Sequence, residues 1–337
     1  MRGITHSMNK NKTLSKTNVV ILGATGFIGR NLAIKFCNNP MYSVTLIHHN
    51  SPKYKIENAN WIEADLRNIK DVQKIIQKSD IVIQAAATTS GVSDIVNNPE
   101  IHVTDNAVMN SLIFREAYHK KVKHVIFFSC TTMYQSNSTK KQNEEDYDSN
   151  LQVYPQYFGV AETKLYIEKL CKFYASISET KFTVIRHTNV YGPWDKYDLQ
   201  RSHVLGATIT KVMQAEHLIN IWGDGAEIRD LLYIEDLVEL VEKSINNQKS
   251  NHLLINAGSD QGISVANLVK VVIEESEKNL EIEFDNSKPT LKFSFIADSS
   301  KALKELDWRS KTPLRLGIQK SINWWKQNSD FILKHDR

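Results

Sequence analysis

A doubly wound, parallel α/β sheet with a smaller C-terminal domain is the fold class that this 337-residue chain predicts. Three observations carry it. Short apolar runs alternate with longer amphipathic stretches from residue 19 onward, the rhythm of strand–helix–strand units. Several runs are continuously apolar, as strands buried on both faces require. The first of them, Val19-Val20-Ile21-Leu22, opens directly into Gly23-Ala24-Thr25-Gly26-Phe27-Ile28-Gly29, with glycine at every third position and a helical rhythm beyond it.

The elements follow in order. Strands are expected at 43–47, 60–64, 80–84, 124–128 and 182–186, with intervening helices at 30–36, 71–77, 101–120 and 159–176. Beyond residue 188 the rhythm loosens. Residues 189–201 read as a polar, aromatic loop around Gly192-Pro193, and 202–214 as a helix. Leu253-Leu254-Ile255-Asn256 returns to the sheet as a further strand. Helices at 264–275 (with Ser264 as cap), 301–306 and 316–325 and a strand at 281–284 complete the chain. The expected division is a loose tail over 1–17, including a vector remnant at its start, and a dinucleotide-binding domain over 18–188 with the strand near 252–258. The remainder, 189–330, is mainly a substrate domain at the carboxyl ends of the strands.

The glycine turn carries the chemistry. Strand, glycine turn and helix form the dinucleotide fingerprint of Rossmann-type sheets. Gly23 allows the tight turn, Gly26 a close approach by a pyrophosphate, and Gly29 close packing of the helix. The N–H groups at the helix start then face the phosphates.

Composition excludes several classes. A net charge of +4, with Lys and Arg scattered, gives no nucleic-acid surface. No apolar run approaches the roughly 18 residues of a membrane span. Three dispersed cysteines, Cys37, Cys130 and Cys171, fit a reducing cytoplasm rather than a disulfide framework, and no Cys/His cluster has metal-ligand spacing.

On these residues the chain resembles the extended short-chain dehydrogenase/reductase family of NAD-dependent sugar-nucleotide epimerases and dehydratases. The glycine turn, Asp65-Leu66 and Ala85-Ala86-Ala87 match its cofactor positions. Val190-Tyr191-Gly192-Pro193, Arg229-Asp230 with Tyr233-Ile234-Glu235-Asp236-Leu237, and Asp298-Ser299-Ser300-Lys301-Ala302-Leu303 match its later signatures. Residues 188–198, followed by Ser202-His203-Val204-Leu205, resemble the GDP-L-fucose synthase branch. The resemblance implies cofactor contacts from Gly23, Thr25, Gly26, Phe27, Ile28, Gly29, His48, Asp65, Leu66, Ala85, Ala86, Ala87, Asn106 and Lys164. On the substrate side it implies Asn189, His203, Lys211 and Arg229. It also implies a homodimer paired through the helices at 101–120 and 159–176.

The catalytic centre departs from the family pattern. A carbon that exchanges hydride with a nicotinamide needs a proton moved at its oxygen. A tyrosine, with a free pKa near ~10, normally does this beside a lysine. Lys164 is in place, with Glu168 four residues on, but Val160 stands where the tyrosine belongs. Tyr157-Phe158-Gly159-Val160-Ala161 resembles the family string with Phe158 in the tyrosine's position. Tyr157 therefore either acts from a distorted helix start or the general acid is missing. Cys130 stands where Ser or Thr is expected, and Thr132 where the fucose synthases carry their epimerising cysteine. Cys130, Thr131 and Thr132 are the candidates to hold the sugar oxygen, and His203 an active-site acid. At the end of the second strand, His48-His49-Asn50-Ser51 brings no carboxylate to repel a phosphate, which favours NADP while leaving NAD open.

The expected activity is reduction of a 4-keto sugar on a nucleotide diphosphate, a GDP-sugar being favoured. The alternatives are a 4-epimerase or dehydratase that retains its NAD, and a cofactor-binding sensor with a decayed site.

Overall fold

A computed structural model of the chain describes residues 16–88, 98–137, 140–199, 202–287, 290 and 292–335. The expected tail lies almost wholly outside them. Thr17, expected in the tail, instead opens β1 (Thr17–Leu22), its N–H donating to the Met41 carbonyl, 3.0 Å away.

The main sheet has seven parallel strands. β1 pairs on one side with β2 (Tyr42–His48), which pairs with β3 (Ala59–Glu63). On the other side it pairs with β4 (Ile81–Gln84), followed by β5 (His124–Cys130), β6 (Lys181–His187) and β10 (His252–Ala257). Strand order reverses between β1 and β4, the crevice where open α/β sheets bind ligands. The strand expected at 253–256 is β10, in register with β6 from His252↔Phe182 to Ala257↔His187.

Helices cover both faces. On one side α2 (Ile69–Ile76), α3 (Thr104–His119) and α4 (Phe158–Ser176) bury Val72, Ile113, Phe114, Ile167 and Cys171 against Val82, Val125 and Val184. On the other, α1 (Phe27–Cys37) and α6 (Ile234–Asn247) bury Leu32, Phe36, Leu237 and Val241 in a core that runs on into the C-terminal part. α5 (Val204–Gln214), α7 (Val265–Ser276), α8 (Ser300–Leu306) and α9 (Leu314–His335) complete the helices seen among the described residues. The serine cap is as expected: Ser264 Oγ accepts the Asn267 N–H at 3.2 Å.

Two smaller sheets sit in the C-terminal part: β7 (Asn189–Tyr191), β9 (Ile228–Tyr233) and β11 (Gly262–Ser264), and the pair β8 (Leu218–Trp222) and β12 (Glu281–Asp285). Three of these corrected the sequence reading. Residues 189–191 are a strand, not loop, because they pair in parallel with Leu231–Tyr233. The segment matched only as a family signature is in fact β9 running straight into α6. Its Ile234, Leu237, Val238 and Val241 fall on one helical face. The last helical stretch runs to His335, well past residue 325, with a kink at Asn328.

At the opposite end of the sheet, His124 is buried. Its Nε2 lies 2.8 Å from Thr183 Oγ1, and Thr183 in turn donates to the Gln248 side chain. Burial pushes its pKa down to about 4, with the Lys181 charge acting the same way. The unfolded chain therefore takes up this proton near pH 6.5 and the folded one only near 4. Stability from this group is full above about 6.5 and is lost as pH falls towards 4. At about 1.4 kcal/mol per unit the loss is roughly 3 kcal/mol. His124→Gln is expected to flatten the acid side of the stability profile, read from urea unfolding at several pH values. The slope from His187, which titrates in the same window, will remain.

Candidate active site

The glycine turn forms the floor of the crevice. Gly23 has φ +72°, and a Cβ there would lie 2.6 Å from Ala86 Cα. The end of β4 thus presses directly on the turn, which places Ala85 and Ala86 beside it. A Cβ on Gly29 would lie 2.1 Å from the Gly23 carbonyl oxygen, so the helix start is locked onto the turn itself rather than onto the strand. At Gly26 a Cβ would meet only the Gly23 oxygen, at 3.3 Å. Gly26 caps α1 and no side chain bonds the helix start. The first-turn N–H groups, including those of Phe27 and Ile28, thus form a cradle beside Thr25 that fits a pyrophosphate. Gly29→Ala is expected to displace this turn and weaken dinucleotide binding at least ~10-fold, measured by NADPH fluorescence titration.

Toward β2 and β3 the site is polar. His48 is buried, with Nδ1 3.2 Å from the Ser51 carbonyl and Nε2 buried without a partner. Asp65 is held by Arg67, 2.9 Å away, whose other edge reaches Asp105 at 2.9 Å. Those Arg67 hydrogen bonds pull the Asp65 carboxyl down to about 2. Leu66 is buried and Ala87 exposed. Asn106 is buried, and its amide clamps Thr88 by a bond to the carbonyl at 2.9 Å and from the N–H at 3.1 Å. Its side chain is therefore spent on positioning the strand extension that follows Ala87. Arg67 went unnoticed in the sequence, although it directly follows Asp65-Leu66.

The catalytic candidates gather at the end of β5. Lys164, on α4, donates from Nζ to the Phe128 carbonyl at 2.8 Å, and burial lowers its pKa. Two residues along the same strand face, Cys130 Sγ lies 3.0 Å from Thr132 Oγ1. Thr131, between them in sequence, is buried. Tyr157 closes a 3₁₀ turn, Pro155–Tyr157, that leads into α4, so the helix start is indeed distorted. Its ring packs on Phe293 and Tyr154 at 5.3 and 5.7 Å between centroids. Phe158 is 64% exposed and points away from this cluster.

Charges order the group. Burial pushes the Tyr157 hydroxyl up to about 12; Arg229 works against this, while Cys130 and Tyr154 add to it. The Cys130 thiol also acts on Lys164. Cys130 therefore sits within electrostatic reach of both. The Tyr157 hydroxyl therefore rises, where a lysine close beside it would lower it. Its cationic neighbour is Arg229.

Arg229, on β9, donates from Nη1 to the Ile228 carbonyl at 3.2 Å and to the Phe293 carbonyl. Asn189 donates to the Asp230 carbonyl at 3.1 Å. Asp230 itself is buried beneath, accepting from Ser259 at 2.7 Å and from the Ala297 N–H at 3.0 Å. His203 caps α5, enclosed deep in the molecule yet open to solvent, as a residue lining a recess would be. Burial and Lys196 lower its pKa, and burial holds His187, which feels both Lys164 and His203, at about 4. Both imidazoles are neutral at pH 7. Lys211 lies on the rim, donating to the Asn220 carbonyl at 3.0 Å, with Nζ 5.6 Å from the Trp222 ring. Trp222 is half exposed at the head of Trp222-Gly223-Asp224-Gly225. A cavity of about 700 Å³ lies beside it, lined by Tyr154, Gly223, Asp224, Asn286, Thr290 and Lys292. Tyr154 and Trp222 were missed in the sequence. Their signal was an aromatic next to paired glycines and one three residues before Tyr157.

A parallel sheet reversing at β1, a glycine turn against β4 and a lysine reaching across β5 define a dinucleotide-binding protein of the short-chain dehydrogenase/reductase class. The chain belongs to the NAD dependent epimerase/dehydratase family, whose model matches residues 19–258. It is 26% identical over 321 residues to a GDP-L-colitose synthase of Yersinia pseudotuberculosis, covering 93% of this chain and 99% of that one. It is 30% identical over 272 residues to a GDP-L-fucose synthase of Sinorhizobium fredii, covering 78% and 85%. In fold it is similar to a UDP-glucose 4-epimerase from Thermotoga maritima, with a TM-score of 0.81 at 23% identity over 93% of this chain and 100% of that one. No helix among the described residues is long and apolar enough to cross a membrane.

Proposed function

We propose that the protein reduces a 4-keto sugar carried on a nucleotide diphosphate, a GDP-sugar in particular, with NADPH as reductant. The observation that carries this reading is the grouping of Lys164, Cys130 and Thr132 at the carboxyl end of β5, with Tyr157 packed in the same cluster as Cys130. The GDP-L-fucose and GDP-L-colitose synthases among its relatives point to the substrate class.

When bound, the nicotinamide supplies a hydride to the sugar carbon. Gly23, Gly26 and Gly29 would hold the pyrophosphate, and Lys164 the nicotinamide ribose. His48 and the carboxylate-free end of β2 favour NADP.

The protein's own task is the proton. A phenol with its pKa near 12 keeps its proton throughout the neutral range, so Tyr157 is a donor, not a base, at rest. Charge developing on the sugar oxygen is stabilised by the Lys164 cation. Cys130 and Thr132 offer that oxygen S–H and O–H donors. Neutral His203 hydrogen-bonds a sugar hydroxyl, and Arg229 and Lys211 serve the diphosphate. A threonine hydroxyl is a poor carbon base, so Thr132 argues against epimerisation at C3 or C5.

The test is oxidation of NADPH by the purified protein with GDP-4-keto-6-deoxymannose, followed by absorbance. No oxidation above the rate without protein would rule out reduction of that substrate. Tightly bound NAD with sugar interconversion and no net oxidation would instead establish the 4-epimerase reading, which the fold likeness to 4-epimerases favours.

The partner we propose is a second copy of the chain. α3 and α4, joined by Ser111 Oγ and Tyr166 OH at 3.2 Å, expose Val108, Tyr166 and Phe173. Phe173→Glu is expected to convert a dimer to monomer in sedimentation analysis, through a buried unpaired charge.

A further inference from the structure

The guanidinium of Arg30 is held between two aromatic rings. Its central carbon lies 4.0 Å from the Tyr54 ring centroid and 3.3 Å from that of Trp194. Its Nε is buried without a hydrogen-bond partner, and no ion pair to it occurs among the described residues. Burial lowers its pKa. The rings therefore do the work that a carboxylate does elsewhere.

The two rings belong to different parts of the molecule. Tyr54 follows β2, and its hydroxyl donates to the Ala24 carbonyl inside the glycine turn at 3.2 Å. Trp194 belongs to the segment after β7 and has a left-handed backbone, φ +71°. Such a conformation persists in a bulky residue only where its surroundings hold it. Three contacts do so. Asn31, next to Arg30, donates to the Pro193 carbonyl at 3.0 Å. Trp324 of α9 meets Trp194 edge-on at 5.0 Å and stacks on Tyr197 at 5.3 Å. Tyr197 in turn donates to the Gly192 carbonyl at 3.0 Å and accepts from Thr210 of α5 at 2.7 Å. α5 is the helix that His203 caps.

We propose that Arg30 is a positioning residue: stacked on Trp194, it ties the cofactor helix to the 192–198 segment and α5, so that a dinucleotide at Gly26 and a nucleotide sugar beside His203 raise each other's affinity. The inference rests on the function proposed above. A pyrophosphate at the start of α1 adds negative charge at the end where Arg30 is held. That charge favours the stacked cation and, through it, the loop position that completes the sugar site. By linkage the effect runs equally in both directions.

The experiment titrates NADP⁺ into the full-length protein by intrinsic fluorescence, with and without saturating GDP. The parent is expected to bind NADP⁺ at least about fivefold tighter with GDP present. Arg30→Met and Trp194→Leu are expected to bring that ratio to about one, whatever each does to the affinity for NADP⁺ alone. Trp194→Phe, which keeps an aromatic face, is expected to retain most of the ratio. A general loss of stability would weaken both titrations together and leave the ratio standing. A ratio in Arg30→Met equal to the parent's overturns the proposal. If Arg30→Met does not fold, the contrast between Trp194→Leu and Trp194→Phe decides it. A parent that binds both ligands with no coupling defeats this inference alone; a parent that binds neither defeats the functional reading with it.

Discussion

Tyr157→Phe is expected to lower kcat for sugar reduction by about 10²–10⁴-fold, the range lost with a positioned general acid. KM and NADPH affinity should change little, because the ring still packs on Phe293 and Tyr154. The alternatives at this position are distinguishable by geometry. Phe158, in the family's tyrosine place, is turned to solvent, and Val160 has no proton to give. Cys130 also carries a transferable proton and lies within electrostatic reach of Lys164. If Tyr157→Phe turns over at the parent rate while Cys130→Ala does not, the thiol is the donor. If both retain full rate, proton delivery comes from outside this cluster. Single-turnover measurement of NADPH oxidation separates the chemical step from product release.

Glu168→Ala is expected to cost about 3–5 kcal/mol of folding stability, the penalty for stranding one member of a buried ion pair. Glu168 accepts from Arg186 at 2.6 and 3.0 Å and from Ser129 Oγ at 2.6 Å. Arg186 also donates to the Tyr134 hydroxyl at 2.9 Å, which donates to Asn256 Oδ1 at 2.7 Å. Asn256 donates two further bonds, from its N–H to Glu144 and from its side-chain amide to the Gln142 carbonyl. One charge thus anchors α4, β5, β6 and β10 in the interior, directly below Lys164. Replacing both partners, Glu168→Leu with Arg186→Met, should recover much of the loss, since no unpaired charge then remains. Urea unfolding at fixed protein concentration measures both. The single variant should also lose activity beyond its unfolded fraction, because Glu168 lies one helical turn from Lys164.

The centre of the sheet was legible because strands such as β1 and β4 are buried on both faces and read as apolar runs, as at residues 19–22 and 81–83. The glycine turn was equally plain, since glycine recurs at every third position directly after an apolar run. What escaped was held by pairing across long distances. Asn189–Tyr191 is a strand only because β9 lies alongside it, forty residues later. α6 has clear helical periodicity, yet its acidic start was read as a binding signature before it was read as a helix. The site was half legible. Lys164 and Tyr157 were singled out by the family resemblance, but that resemblance could not show that Arg229 would be Tyr157's cationic neighbour. That depends on where pairing with β7 and β11 places β9. Nor could composition distinguish Asn106 as a clamp on Thr88 from Asn106 as a ligand.

The pairing of β10 with β6 has a consequence for how the protein is made. β6 leaves the ribosome as the outermost strand of a parallel sheet, and the segment that covers its edge is not translated until β7, α5, β8, β9 and α6 have followed. During that interval an apolar strand with unpaired N–H and C=O groups is open to any neighbouring chain. Overproduction at high synthesis rates therefore favours insoluble product, and slower synthesis at lower temperature gives β10 time to arrive before another molecule does.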